Sequence, residues 1–133
     1  MPDNTPVSRP PPVVLLVDAH EDCRVMYRHW LQDCCGFLVH EADSVAEALR
    51  LAARVFPDVI ATELTLPGTD GYELCRHVRR SAPTSGVRLI AVTASAMRDQ
   101  IERASQAGCE RVLAKPCSPQ TLSGAIREVL SLT

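Results

Sequence analysis

Along the chain, short runs of consecutive apolar residues alternate with longer stretches in which apolar positions recur every three or four residues. "VVLLVD" (13–18) is a continuous β-branched run, the mark of a strand covered on both faces. "EDCRVMYRHWLQDCC" (21–35) then places Val25, Met26, Trp30 and Cys34 on one helical stripe, and Gly36 ends it. "FLVHE" (37–41) predicts a second strand. The next helix, over 44–56, opens with Ser44 and Glu47 at capping-box spacing. The alternation continues with strands over 58–63, 87–93 and 111–115 and helices over 70–80 and 97–107. Ser118 as cap and Pro119 at the first helical position begin a last helix that runs to about Leu130. Five strand–helix units predict an α/β fold, a doubly wound parallel sheet with helices on both faces.

Composition narrows this picture. The chain has 133 residues, enough for one domain with a real core. Residues 1–12 carry five prolines and no apolar period, so a flexible leader is expected before a domain spanning 13–131. A net charge of −2 gives no general pull toward nucleic acid or anionic lipid, and no apolar run reaches 18 residues. Neither nucleic acid nor membrane is an expected partner. The six cysteines show no C-x-x-C spacing and no signal peptide precedes them, which predicts reduced small hydrophobes in a cytoplasmic protein. Adjacent Cys34 and Cys35 do not suit disulfide geometry. Of the 14 basic residues all but Lys115 are arginine, which singles that lysine out.

In doubly wound sheets, sites lie beyond the carboxyl ends of the strands. Those ends carry Asp18, Glu63, Thr93 and Lys115, each the polar residue that interrupts an apolar run. One such residue is ordinarily the solvated end of a strand. Two carboxylates, a hydroxyl and the chain's single ammonium together form a constellation.

These phrases resemble the receiver domains of two-component response regulators, the chemotaxis-protein-like fold. The likeness rests on "LLVDAHED", "PDVIATELTLPGTDGYEL", "AVTA" and "LAKP", and covers nearly everything from Val13 to Leu130. It implies strand order 2-1-3-4-5. It also implies a site in which an aspartate after the third strand accepts a phosphoryl group beside Mg²⁺, while a lysine and a hydroxyl residue bind the phosphoryl oxygens. On this chain the acceptor position is Glu63, the acidic pocket keeps Asp18, and Thr93, Ala94 and Lys115 match the phosphoryl-binding positions. The resemblance would put any metal on Asp18, Glu63 and the backbone carbonyl of Thr65, and allows a cis Lys115–Pro116 bond. It implies protein partners: a sensor kinase, a phosphotransfer protein or an output domain, met through the fourth helix, fifth strand and fifth helix, with a homodimer open.

Three departures bear on chemistry. Glu63 carries its carboxylate about 1.5 Å further out than an aspartate would, and about 1 Å of misplacement can cost about 100-fold in a positioned reaction. Ala19 stands where a second metal-binding acid is usual, and Mg²⁺ needs near-ideal oxygen geometry, so Mg²⁺ binding is expected to be weak or lost and no other cofactor is implied. Val112 replaces the strand-five aromatic and has no comparable second rotamer. The expected function is therefore a phosphorylation-independent protein–protein signalling module, not an enzyme. The alternative is a working phosphorelay receiver with Mg²⁺-dependent transfer through a rearranged site. Glu63 and Lys115 are open to two accounts, a stand-in for phosphate or an inert pair. A nucleotide or flavin binder is disfavoured because "DAHED" offers no glycine for a phosphate cradle. Trp30 is expected in helix packing, His29, His40 and His77 as scattered surface or packing residues, and "CRHVRR" (75–80) as a solvated basic helix end.

Overall fold

The computed structural model describes residues 10–131. Five strands, β1 (Val13–Val17), β2 (Leu38–Ala42), β3 (Val59–Thr62), β4 (Arg88–Thr93) and β5 (Arg111–Ala114), form one parallel sheet. Their order is β2-β1-β3-β4-β5, as the family likeness implies. Five helices connect and cover them: α1 (Glu21–His29), α2 (Val45–Val55), α3 (Gly71–Arg80), α4 (Arg98–Gln106) and α5 (Pro119–Val129). The leader expected over 1–12 falls mostly outside the described residues. Pro12 is already tied to the sheet, its carbonyl accepting from Leu38 N–H at 2.9 Å. No described helix is long and apolar enough to cross a membrane.

Continuous apolar strands follow from burial on both faces. Leu15, Val17, Ile60, Leu89 and Ala91 point to one side, against α2, α3 and α4. Val14, Leu16, Val59, Ala61, Ile90 and Val92 point to the other, against α1 and α5. Successive residues therefore alternate between two cores, as the period of two requires.

Helix ends follow their caps. Ser44 and Asp70 accept from Glu47 N–H and Glu73 N–H, and Ser118 accepts from Thr121 N–H. The capping box at Ser44 is half made, since the Glu47 carboxylate turns to Arg50 instead of back to the cap.

Two expectations need correction. The buried face of α1 is Tyr27 and Leu31 with half-buried Cys23 and Trp30, whereas Met26 is 44% exposed and Cys34 is exposed. The Tyr27 hydroxyl donates to the Cys117 carbonyl at 2.8 Å, which turns α1 by one residue from the expected stripe, and the last turn, Trp30–Cys34, is a π-helix that breaks the simple period. The end of α3 is not wholly a solvated face. Arg79 donates to the carbonyls of Ser85 (3.0 Å), Val87 and Gly108 (2.8 Å), tying α3 to the loops before β4 and β5. Trp30 does pack helix on helix, its indole N–H donating to Ser123 Oγ at 3.2 Å.

Between β3 and α3, Thr65–Leu66 pairs antiparallel with Thr69–Asp70 in a small hairpin that leads straight into Gly71. A Cβ there would meet Leu64 Cα at 2.9 Å, and the Glu63 carbonyl oxygen closer still, and Gly71 N–H donates to the Leu64 carbonyl at 2.9 Å. Gly71→Ala should therefore destabilise the fold by about 2 kcal/mol or more in urea unfolding. Gly86→Ala, with nothing within 4 Å of its Cβ, should change stability by well under about 1 kcal/mol in the same assay.

Candidate functional site

The backbone ladder runs past the strand ends and fixes each site residue. Asp18 N–H donates to the Ala42 carbonyl (3.1 Å), Glu63 N–H to Val17 (2.9 Å) and Lys115 N–H to Thr93 (2.8 Å). Asp18, Glu63, Thr93 and Lys115 thus stand together along the carboxyl edge of β1, β3, β4 and β5, in the crevice where such sheets hold ligands. Asp18 and Glu63 are each only 7% exposed and Thr93 only 1%, so two carboxylates face each other largely out of water.

Lys115 reconciles them. Its ammonium lies 2.7 Å from Asp18 Oδ2 and 3.4 Å from Glu63 Oε1. Burial pulls the ammonium's pKa down, but the Asp18 hydrogen bond and the charges of Asp18 and Glu63 outweigh it and hold it above its ordinary value. The other oxygens are also engaged. Asp18 Oδ1 accepts from His20 N–H at 2.9 Å. Glu63 Oε2 folds back onto its neighbour's Leu64 N–H at 2.6 Å, and Oε1 receives a long 3.5 Å contact from Ala94 N–H. The cavity that Asp18 and Glu63 line together holds about 10 Å³, room for about one water.

The remaining candidates are placed less directly. Thr93 Oγ1 accepts from Ser95 N–H at 3.2 Å, which ties it to the loop after β4. Thr65 is exposed on the hairpin. A cleft of about 260 Å³ opens beside Thr93 and Thr65, bordered by Tyr72, Gln100 and Arg103. Lys115–Pro116 is cis. Half-buried Val112 packs against the core. Among the described residues no group of three or more His, Cys, Asp or Glu is placed to hold a metal ion.

Sequence reasoning missed Arg24 and Arg28. Arg24 donates to the Asp18 carbonyl at 2.5 Å and lies 3.3 Å from Glu41, which also pairs with Arg28 at 2.5 Å. The two arginines stand one helical turn apart on α1, opposite the acid that precedes the end of β2; that spacing was the available signal.

A doubly wound sheet with two carboxylates, a hydroxyl and an ammonium at its carboxyl edge defines a class of signalling domain. The family model for the response regulator receiver domain matches residues 14–127. The chain belongs to that family. It is 34% identical over 119 residues to the response regulator UvrY of Escherichia coli, covering 89% of this chain and 54% of UvrY. It is likewise 34% identical over 123 residues to the virulence sensor protein BvgS of Bordetella pertussis, covering 89% of this chain and 10% of BvgS. The chain thus spans about half the length of the first of these relatives and a small part of the second. Among solved structures, a putative response regulator from Chloroflexus aurantiacus superposes with TM-score 0.83 at 30% identity, covering 92% of this chain and 99% of that one. The chemotaxis response regulator CheY4 of Vibrio cholerae superposes with TM-score 0.85 at 28% identity, covering 90% and 99%.

The charge arrangement sets a stability profile. Lys115 has a folded pKa raised above 10.5, so its stabilising effect is complete below that pH and is lost as pH rises through the folded value. Tyr27, raised well above 10.0 chiefly by burial, acts in the same direction, because the unfolded phenol ionises first. Urea unfolding should therefore show stability falling above about pH 10, and Tyr27→Phe should remove part of that fall. Lys115→Met should cost about 3 kcal/mol at neutral pH, because it leaves two carboxylates facing each other without their counter-ion.

Proposed function

We propose that this receiver domain signals by protein–protein contact without phosphotransfer, with Glu63 in the phospho-acceptor position as a permanent anion. One observation carries the reading: both Glu63 oxygens already face donors that belong to the protein, Leu64 N–H on one side and Lys115 Nζ on the other. A nucleophile in an in-line displacement needs an oxygen aimed at the incoming phosphorus. Here that oxygen is turned toward the protein's own cation.

The donor set supports the same reading for the metal. Asp18, Glu63 and the Thr65 carbonyl are the groups the family likeness offers to Mg²⁺, and Ala19 adds no oxygen. Both Asp18 oxygens are already engaged, Oδ2 by the Lys115 ammonium at 2.7 Å and Oδ1 by His20 N–H at 2.9 Å. These residues do not fit a resident Mg²⁺, which asks for near-ideal octahedral oxygens. On this reading the domain is not an enzyme, and Thr93, Ala94 and Lys115 keep family positions without handling a phosphoryl group.

Fixed charge at Glu63 holds the loops after β3 and β5 in one arrangement, with about one negative charge where a phosphate would bring nearly two. The surface formed by α4, β5 and α5 is then available to a sensor kinase, a phosphotransfer protein, an output domain or a second copy. Met97, which caps α4, and Ile101 on α4 are exposed and give that surface apolar contact area.

Intact mass after incubation with acetyl phosphate and Mg²⁺ tests the proposal. The wild-type chain should gain no phosphate, while the double change Glu63→Asp with Ala19→Asp, which restores both acids, should gain one. An acyl-phosphate adduct at residue 63 of the wild type would establish the alternative, a working phosphorelay receiver. Capture of a cognate partner by Glu63→Gln separates the two accounts of the pair: loss of binding supports a phosphate stand-in, and unchanged binding an inert pair.

A further inference from the structure

Away from the charged edge, two thiols that sequence spacing left unrelated come together. Cys75 lies on the inner face of α3 and is fully buried. Cys109 lies in the turn between α4 and β5, 7% exposed, its N–H donating to the Ala104 carbonyl at 2.9 Å. Their sulfurs are 3.5 Å apart, with one thiol hydrogen-bonded to the other. Both sit in the same apolar core as Leu74, Val78 and Ala107. The guanidinium of Arg79, one turn beyond Cys75, flanks them: it donates to the Gly108 carbonyl at 2.8 Å and lies 3.7 Å from Glu110.

We propose that Cys75 and Cys109 are a redox modification site: a dithiol that a small peroxide converts to a disulfide stapling α3 to the α4–β5 turn. The geometry divides the roles. Cys109, the less enclosed residue of the pair at 7% exposure against none for Cys75, takes the attacking role, and Cys75 is the resolving thiol beside it. The thiol–thiol hydrogen bond, ahead of burial, pushes the Cys75 proton on more tightly, while the same bond and Arg79 draw Cys109 down against burial. Thiolate character on the attacking sulfur is what peroxide chemistry needs.

The chemistry balances in two steps. The Cys109 thiolate attacks one oxygen of hydrogen peroxide, the O–O bond breaks, and sulfenic acid forms with hydroxide leaving. The Cys75 sulfur then displaces hydroxide from that sulfenic sulfur, its proton completing a water, and the S–S bond closes. The sulfurs must approach by about 1.5 Å to reach bonding distance, a shift that α3 and the adjoining turn can share. Exposed Cys34 and its neighbour Cys35, adjacent in sequence, lack that geometry. The site stands apart from Glu63 and does not depend on whether that residue is phosphorylated.

Peptide mapping after peroxide treatment of the native protein tests this, with remaining thiols alkylated in denaturant. The expected result is a dithiothreitol-sensitive cross-link between the peptides holding Cys75 and Cys109, and a loss of two hydrogens in intact mass. The oxidised protein should melt about 10 °C higher, because the bond closes a long loop in the unfolded chain. A Cys34→Ser/Cys35→Ser variant, which leaves the pair untouched, should cross-link as well as wild type, and Cys75→Ala should not. If both buried thiols are recovered alkylated while Cys34 is oxidised, or if the cross-link forms only after unfolding in urea, the proposal is wrong.

Discussion

The ammonium of Lys115 is the interaction on which the charged end of this molecule depends. Two carboxylates, each largely removed from water, stand at the ends of strands that are neighbours in the sheet, and such a pair is costly without a counter-charge. Lys115 reaches both from the end of β5, across β4. One cation therefore joins the carboxyl ends of β1, β3 and β5, and the loops that leave those strands inherit its position. Removing a single partner from such a cluster leaves a desolvated charge behind, which is why its loss costs more than the loss of an exposed ion pair.

Backbone features hold the loop after β3 against this cluster. Glu63 N–H belongs to the ladder of β1, its side chain folds back to Leu64 N–H, and the Thr62 hydroxyl donates to its carbonyl at 2.8 Å. Gly71 then packs on the same carbonyl, where no Cβ fits. Residue 63 is thus constrained from its backbone and from its carboxylate at once. On the proposed reading, a side chain so engaged serves as a fixed charge and not as a nucleophile.

Much of this was legible in the strands. The apolar runs of β1, β3 and β4 are buried along nearly their whole length, so the polar residues that end them mark the carboxyl edge; Asp18, Glu63 and Thr93 are legible that way, with Lys115 at the end of edge strand β5. What sequence could not give was the choice among partners there. The expected pairing of Glu63 with Lys115 is present at 3.4 Å, yet the shorter contact of Lys115 is with Asp18 at 2.7 Å, and the Thr93 hydroxyl accepts from Ser95 N–H. Those choices depend on ångström-scale positions of side chains from four strands. The inward face of α1 was misjudged for a similar reason: it is fixed by Tyr27 meeting a carbonyl 90 residues away in the chain. Arg79 and the Cys75–Cys109 contact join segments far apart in sequence and leave no periodic signature.

The most direct measurement of the central claim is the backbone amide spectrum of the ¹⁵N-labelled protein, recorded with and without Mg²⁺ and beryllium fluoride, an acyl-phosphate analogue. If Glu63 and Lys115 already close the site, the Leu64 and Ala94 amide resonances stay where they are as both reagents are added. Saturable shifts of those two amides would show a site that still receives metal and phosphoryl group, and would contradict the account.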